Sequence, residues 1–223
     1  MAYFDREADQ YDQWYQTKMG VFVDRVETNL ALKMFPVRTG MTILDAGCGT
    51  GNFSIKLAEA KVKVTGVDIS AEMLRIASDK SRQAGHDIDF LEIDLHHLPF
   101  ADESFDGVIS MAAIEFIKEL EPVMEELYRV LKPDGHLLIG TINRESAWGE
   151  LYQSEYFQKN TVFRHAAFKT LKEITAWRPE SLVNTGSCLF VPPGSSDEQW
   201  AEEYEAANKE KVNGGFICAM WKK

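Results

Sequence analysis

Apolar positions along the chain change their period near residue 41. Before it, Phe22, Val26 and Leu30 recur every fourth residue and Tyr11, Trp14 and Tyr15 lie three to four residues apart, so residues 5–35 read as a helical arm in two segments. Pro36 and Gly40 close that arm. Beyond it, short apolar runs alternate with amphipathic stretches, which predicts strands at 42–46, 62–68, 88–94 and 105–110 and helices at 52–60 and 71–83. A further helix at about 120–131 puts Val123, Leu127, Val130 and Leu131 on one face, takes Pro122 into its first turn and is stopped by Lys132-Pro133-Asp134-Gly135. A strand at 136–142 follows it. Such alternation predicts parallel strands joined by right-handed crossovers, with helices on both faces of the sheet. Residues 143–178 break the rhythm with a polar, aromatic-rich segment. Two last strands, at 181–191 and 215–221, flank Pro192-Pro193-Gly194 and an acidic helix at 197–211.

Composition narrows the class. The chain has 223 residues, 45% hydrophobic and 26% charged, enough for one cored domain with an elaboration and no staples. The longest apolar runs are strand-sized, and Asp5, Arg6, Glu7 and Asp9 open the chain, so neither a signal peptide nor a membrane span is expected and the cytoplasm is the expected location. Thirty-five acidic against 24 basic residues leave a net charge of −11, and no basic stripe suited to neutralising phosphates is present, which disfavours nucleic acid as a partner. Cys48, Cys188 and Cys218 are too few and too scattered for a disulfide framework or a zinc motif and read as reduced thiols. The oligomeric state stays open.

The chemistry starts at Ile43-Leu44-Asp45-Ala46-Gly47-Cys48-Gly49-Thr50-Gly51-Asn52, a buried strand running into a glycine turn that opens a helix. Glycines let backbone groups approach a ligand, and the helix start offers free N–H groups. Asp68 ends the second strand about 20 residues on, where a carboxylate can accept both hydroxyls of a ribose. That combination points to a nucleoside-containing cofactor. A dinucleotide fingerprint would want its third glycine where Asn52 stands, which opposes an NAD-dependent oxidoreductase.

Four ordered motifs, LDAGCGTG, VTGVDIS, IDLHHLPFADESFDGVIS and RVLKPDGHLLIGTIN, make residues 40–145 closely resemble the class I S-adenosylmethionine-dependent methyltransferases, within them the group similar to the ubiquinone and menaquinone biosynthesis enzymes. The resemblance implies a Rossmann-like, doubly wound α/β sheet of seven strands in the order 3-2-1-4-5-7-6, the last strand antiparallel. It implies a single domain made of an N-terminal arm or lid (1–40), a cofactor core (41–142), a substrate-cap insertion (143–178) and C-terminal strands (179–223). S-adenosyl-L-methionine is the implied cofactor and a small-molecule methyl acceptor the implied partner. Position by position, the resemblance puts Gly47 and Gly49 against the methionine part, Asp68 on the ribose and Ile69 on the adenine. Asp94 would accept from the adenine amino group with Leu95 beside it, Ser110 and Met111 would line the pocket next to the sulfonium, and Asp45 fills the acidic position at the start of the loop. All lie at carboxyl ends of parallel strands, where open α/β sheets bind ligands.

Plainer roles compete. Asp45 and Asp94 can cap the turns that follow them, and only their joint spacing favours the site. Cys48 reads as a turn residue, and His96 and His97 as ordinary loop residues, so no metal is implied. The rings of Tyr11 and Tyr15 either close over the sulfonium, to which aromatic faces are attracted, or brace the arm on the domain. If the acceptor must lose a proton, Glu115, Tyr11 and Tyr15 are the candidate bases, with capping of the next turn as the alternative for Glu115. Acceptor choice is expected in 143–177, where Arg144, Trp148, Tyr152, Tyr156, Phe157, Phe163, Arg164 and Phe168 would suit a small acidic or aromatic acceptor, or would form the local core of a helical cap. A non-catalytic S-adenosylmethionine sensor is the alternative function.

Overall fold

The computed structural model describes residues 3–5 and 8–223. The arm is two helices, α1 (Ala8–Trp14) and α2 (Lys18–Met34). They break at Thr17, whose hydroxyl caps α2 by accepting from the Gly20 amide at 3.0 Å. Residues 6 and 7 of the expected arm lie outside the described residues.

The core then runs β1 (Thr42–Ala46), α3 (Asn52–Glu59), β2 (Lys63–Asp68), α4 (Ala71–Gln83), β3 (Asp89–Glu92), β4 (Phe105–Met111), α5 (Leu120–Arg129) and β5 (Leu131–Ile142). Three short helices follow, α6 (Ala147–Tyr152), α7 (Glu155–Asn160) and α8 (Leu171–Thr175), then β6 (Leu182–Cys188), α9 (Glu202–Asn208) and β7 (Phe216–Lys222). The seven strands are ordered β3-β2-β1-β4-β5-β7-β6. β1 to β5 pair in parallel, and β7 runs antiparallel to both β5 and β6, as the sequence leads one to expect.

Alternation along the strands divides the core. Ile43, Ile109 and Leu138 face one side with Phe22, Val26 and Leu57 of α2 and α3. Leu44, Val108, Leu137 and Ile139 face the other with Val123 and Leu127 of α5.

Several boundaries differ from expectation for identifiable reasons. The helix expected to reach residue 131 ends at Arg129, because fully buried Leu131 pairs with Phe105 and starts β5 early. Pairing resumes at His136 opposite Gly107, so Lys132–Gly135 forms an irregularity in β5 and does not precede it. β6 stops at Cys188: Leu189 takes a positive φ of 65°, and the Glu205 carboxylate accepts from the amides of Leu189, Phe190 and Val191 at 2.6, 2.7 and 3.1 Å. The acidic helix expected at 197–211 is split around buried Trp200, with a short 3-10 turn before it and α9 after. Among the described residues, no helix is long and apolar enough to cross a membrane.

Candidate cofactor and acceptor site

Beyond the carboxyl end of β1 the chain turns through Gly47, Gly49 and Gly51, with φ of 77°, 53° and 76° that side chains disfavour. A Cβ on Gly47 would sit 2.5 Å from that of Ala113, whereas one on Gly49 would project into open space. That space belongs to a cavity of about 480 Å³, within the range of roughly 300–1,000 Å³ usual for small-molecule sites. Asp68, closing β2, holds the loop in shape: one carboxylate oxygen accepts from the Gly49 amide and the other from the Ser70 amide, both at 2.9 Å. Burial raises its pKa, opposed by those amides.

The sequence-derived residues do not all reach the cavity. Gly47, Gly49, Asp68, Ile69, Asp94, Leu95 and Met111 lie on its wall, as do Tyr11 and Tyr15. Ile69 stays 58% exposed there, an apolar surface that the chain itself leaves uncovered. Asp94 does both things considered for it: it faces the cavity and accepts from the His96 amide at 2.9 Å. The Nδ1 of His96 lies 2.7 Å from the same oxygen, and hydrogen bonding from His96 lowers the carboxyl's pKa. Asp45 and Ser110 lie beneath the wall, both buried. Strand alternation turns Ser110 inward, and Met111, Ala112 and Ala113 form the wall instead. Asp45 accepts from the Ser54 hydroxyl at 2.6 Å, and burial pushes its carboxyl up to about 7. Cys48 is a buried thiol whose pKa burial raises well above normal, consistent with a turn residue.

The arm contributes to this wall. Asp12 accepts from the Thr50 hydroxyl and from Lys80, both at 2.7 Å, and Lys80 also reaches Asn52, so α1 is tied to the glycine turn and α4. The rings divide the labour. Trp14 packs on the core, while the Tyr11 and Tyr15 hydroxyls meet at 3.2 Å on the cavity side. Burial pushes Tyr11 up to about 12 and Tyr15 upward as well, so both phenols stay protonated near neutral pH and are poor bases.

Glu115 does not cap the next turn. It is fully buried after β4 and accepts from Thr141 at 3.0 Å, while its other oxygen has no partner; burial brings it up to about 7. None of the eight residues singled out in 143–177 is on the wall of this cavity. Tyr152, Phe163 and Phe168 stack on one another, with Tyr152 and Phe163 centroids 4.2 Å apart, and Arg144 is paired with Glu173 at 3.0 Å. The segment supports the wall from behind: Phe163 lies against Phe116, Phe116 against Phe4, and His165 stacks on Tyr3.

The wall also contains residues the sequence reading missed, Asp24, Glu27 and Thr28 of α2 among them. Their i, i+3, i+4 spacing beside the apolar stripe marked a second helix face, but only docking of the helix shows that it faces inward. Among the described residues no cluster of His, Cys, Asp and Glu suited to a metal is found.

Comparison with known proteins agrees with this geometry. A family model described as a methyltransferase domain matches residues 44–139. An uncharacterised protein of Methanocaldococcus jannaschii is 34% identical over 78% of this chain and 77% of its own length. A demethylmenaquinone methyltransferase of Listeria welshimeri is 31% identical over 67% of this chain and 66% of its own, and a malonyl-[acyl-carrier protein] O-methyltransferase of Pectobacterium atrosepticum is 34% identical over 68% of this chain and 55% of its own. The chain thus spans between half and two thirds of the length of these two named enzymes. A Thermotoga maritima structure described as a possible histamine N-methyltransferase superposes with a TM-score of 0.74 at 27% identity, covering 99% of this chain and 98% of that one. Strand order, glycine turn, Asp68 and these relatives agree: the chain belongs to the class I S-adenosylmethionine-dependent methyltransferases, among those similar to the ubiquinone and menaquinone biosynthesis enzymes.

Proposed function

We propose that this protein methylates a small-molecule acceptor by in-line displacement inside the cavity under the arm. The observation that carries this reading is one cavity whose wall combines the residues after β1, β2 and β4 with aromatic and acidic residues of the arm. At the β2–β3 end, Asp68 would take the ribose hydroxyls, Asp94 the adenine amino group, and Ile69 and Leu95 the ring faces. Gly47 and Gly49 would cradle the methionine part, with Met111 beside the sulfonium. The residues fit such a group: Asp68 retains lone pairs after accepting two amides, and open space lies above Gly49. Asp45 and Ser110 would act only from below, by fixing the strand ends.

When bound, S-adenosylmethionine supplies a methyl group on a sulfonium that leaves as a neutral thioether, so no proton has to be delivered to the departing sulfur. The chain's own task is then alignment and exclusion of water. α1, tied down through Asp12, would cover the bound groups, with Phe4 and Phe116 packed on each other in the same wall. The names of the relatives range over a carrier-bound malonyl group, a demethylated menaquinone and an amine, so they do not select the acceptor. Incubation with methyl-labelled S-adenosylmethionine and a pool of small metabolites should place label in a low-molecular-weight product. Label found only in added protein or nucleic acid would refute the reading.

A further inference from the structure

We propose that the acceptor end of the cavity binds a small primary or secondary amine as its ammonium ion, with Glu27 as counter-ion and Tyr11, Tyr15 and Phe4 as the enclosing rings. This deepens the methyl-transfer reading and rests on it.

The argument begins on α2, where Asp24, Glu27 and Thr28 share the wall. Lys56 binds Asp24 at 2.6 Å and the Thr28 hydroxyl at 2.8 Å, so Asp24 is compensated. No hydrogen bond or ion pair engages Glu27 among the described residues. Among the charges that act most on Glu27, Asp24 and Glu115 raise its pKa and Lys56 lowers it, while Lys118, the one lysine on the wall among the described residues, is not one of them. Behind the wall Glu115 is a second buried acid, with one oxygen lacking any partner, and its field reaches both Glu27 and the Tyr11 hydroxyl.

A carboxyl withdrawn from water with no hydrogen-bond partner is costly in its charged form, and for half-buried Glu27 burial first, then Asp24 and Glu115, raise the pKa, with Lys56 opposing them. A cation arriving beside it reverses that cost. Tyr11, Tyr15 and Phe4 share the wall with it, and the faces of such rings attract ammonium groups. Arg144, the arginine expected to suit an acidic acceptor, is committed to Glu173 and to the Phe168 carbonyl and is off the wall.

Glu27 has a chemical task as well as a binding one. An ammonium nitrogen has no free lone pair, so it must give one N–H proton to the Glu27 carboxylate before it can react. The freed pair forms the N–C bond, the electrons of the broken C–S bond stay on sulfur, and the product is again a cation. The proton held by Glu27 returns to solvent when the site opens.

The test is calorimetric titration of the full chain saturated with S-adenosylhomocysteine. The probes are 2-phenylethylamine and n-butylamine, each beside the alcohol and the carboxylic acid of the same skeleton. At least one amine should bind about tenfold or more tightly than its two counterparts, the scale of a charge-assisted hydrogen bond. Glu27→Gln should abolish that preference and leave the S-adenosylhomocysteine affinity within about twofold. Equal binding of all three head groups, or preference for an acid or alcohol, overturns the proposal, and this comparison stands whether or not the variant folds. Loss of S-adenosylhomocysteine affinity in Glu27→Gln would assign the carboxylate to the cofactor's ammonium and overturn it too. If the wild-type chain does not bind S-adenosylhomocysteine at all, the methyl-transfer reading fails first and this proposal falls with it.

Discussion

The residues of this site are set by what surrounds their charges. Asp68 and Asp45 lie on adjacent strands, yet one faces the cavity and the other lies under it. Asp68→Ala is expected to weaken S-adenosylmethionine binding by about 2–3 kcal/mol through lost hydrogen bonds to the ribose, with some added loss because the Gly49 amide is freed. Titration calorimetry on a folded variant checks it, and unchanged affinity would remove the central assignment. Asp45 predicts a pH effect on stability. Its carboxyl, raised from 3.8 to about 7, keeps its proton in the folded chain when the unfolded chain has lost it. The stability it contributes is therefore complete below the unfolded value and lost as pH rises through about 7, on the order of a few kcal/mol in total. Glu115 adds the same trend from 4.5 to about 7. Urea melts of the cofactor-free protein at pH 5 and pH 8 should show a smaller difference for Asp45→Asn than for the wild type. An equal difference would mean that Asp45 is ionised in the fold.

At the scale of elements, α1 is held by Trp14 packing on the core and by a set of polar links among the described residues. Asp12 joins it to Thr50 and Lys80, and Asp5, just before it, accepts from Ser70 at 2.7 Å. The sheet and its helices are cored without it, since α2 carries Phe22, Val23 and Val26 into the main cluster. Deleting residues 1–18 should leave circular dichroism and the cooperative melt largely intact while lowering cofactor affinity, because the cavity loses a wall. Unaltered affinity in the truncated chain would make the arm a brace and not a lid.

For the whole molecule, the antiparallel β7 is the element that ties the last third of the chain to the parallel core. Trp221, fully buried on it, packs edge-on to Trp177 at 5.3 Å and donates its indole N–H to the Trp177 carbonyl at 3.0 Å. Trp221→Ala should cost about 3–5 kcal/mol of unfolding free energy, the range for a large aromatic removed from a core. Chemical denaturation checks this, and a loss below about 1 kcal/mol would show that the site collapses around the gap.

What the sequence determined is the local logic. Asp45 to Asn52 could be read because strand alternation, positive φ at glycines and an acidic residue one crossover later are short-range signals. The alternation of strands and helices implied parallel strands joined by right-handed crossovers, while the strand order and the edge hairpin were supplied by family resemblance. Tertiary structure decided everything that depends on which wall a residue faces. Ser110 reads as a site residue by position, but the pleat turns it inward. The aromatics of 143–177 read equally as a substrate lining or as a local core, and only the fold shows Tyr152, Phe163 and Phe168 packed on one another. Glu27 was one carboxylate among many on an amphipathic helix. Its significance appears only once α2 docks and leaves that carboxyl at the cavity wall with no hydrogen bond or ion pair among the described residues, because burial and pairing of a charge depend on neighbours distant in the chain.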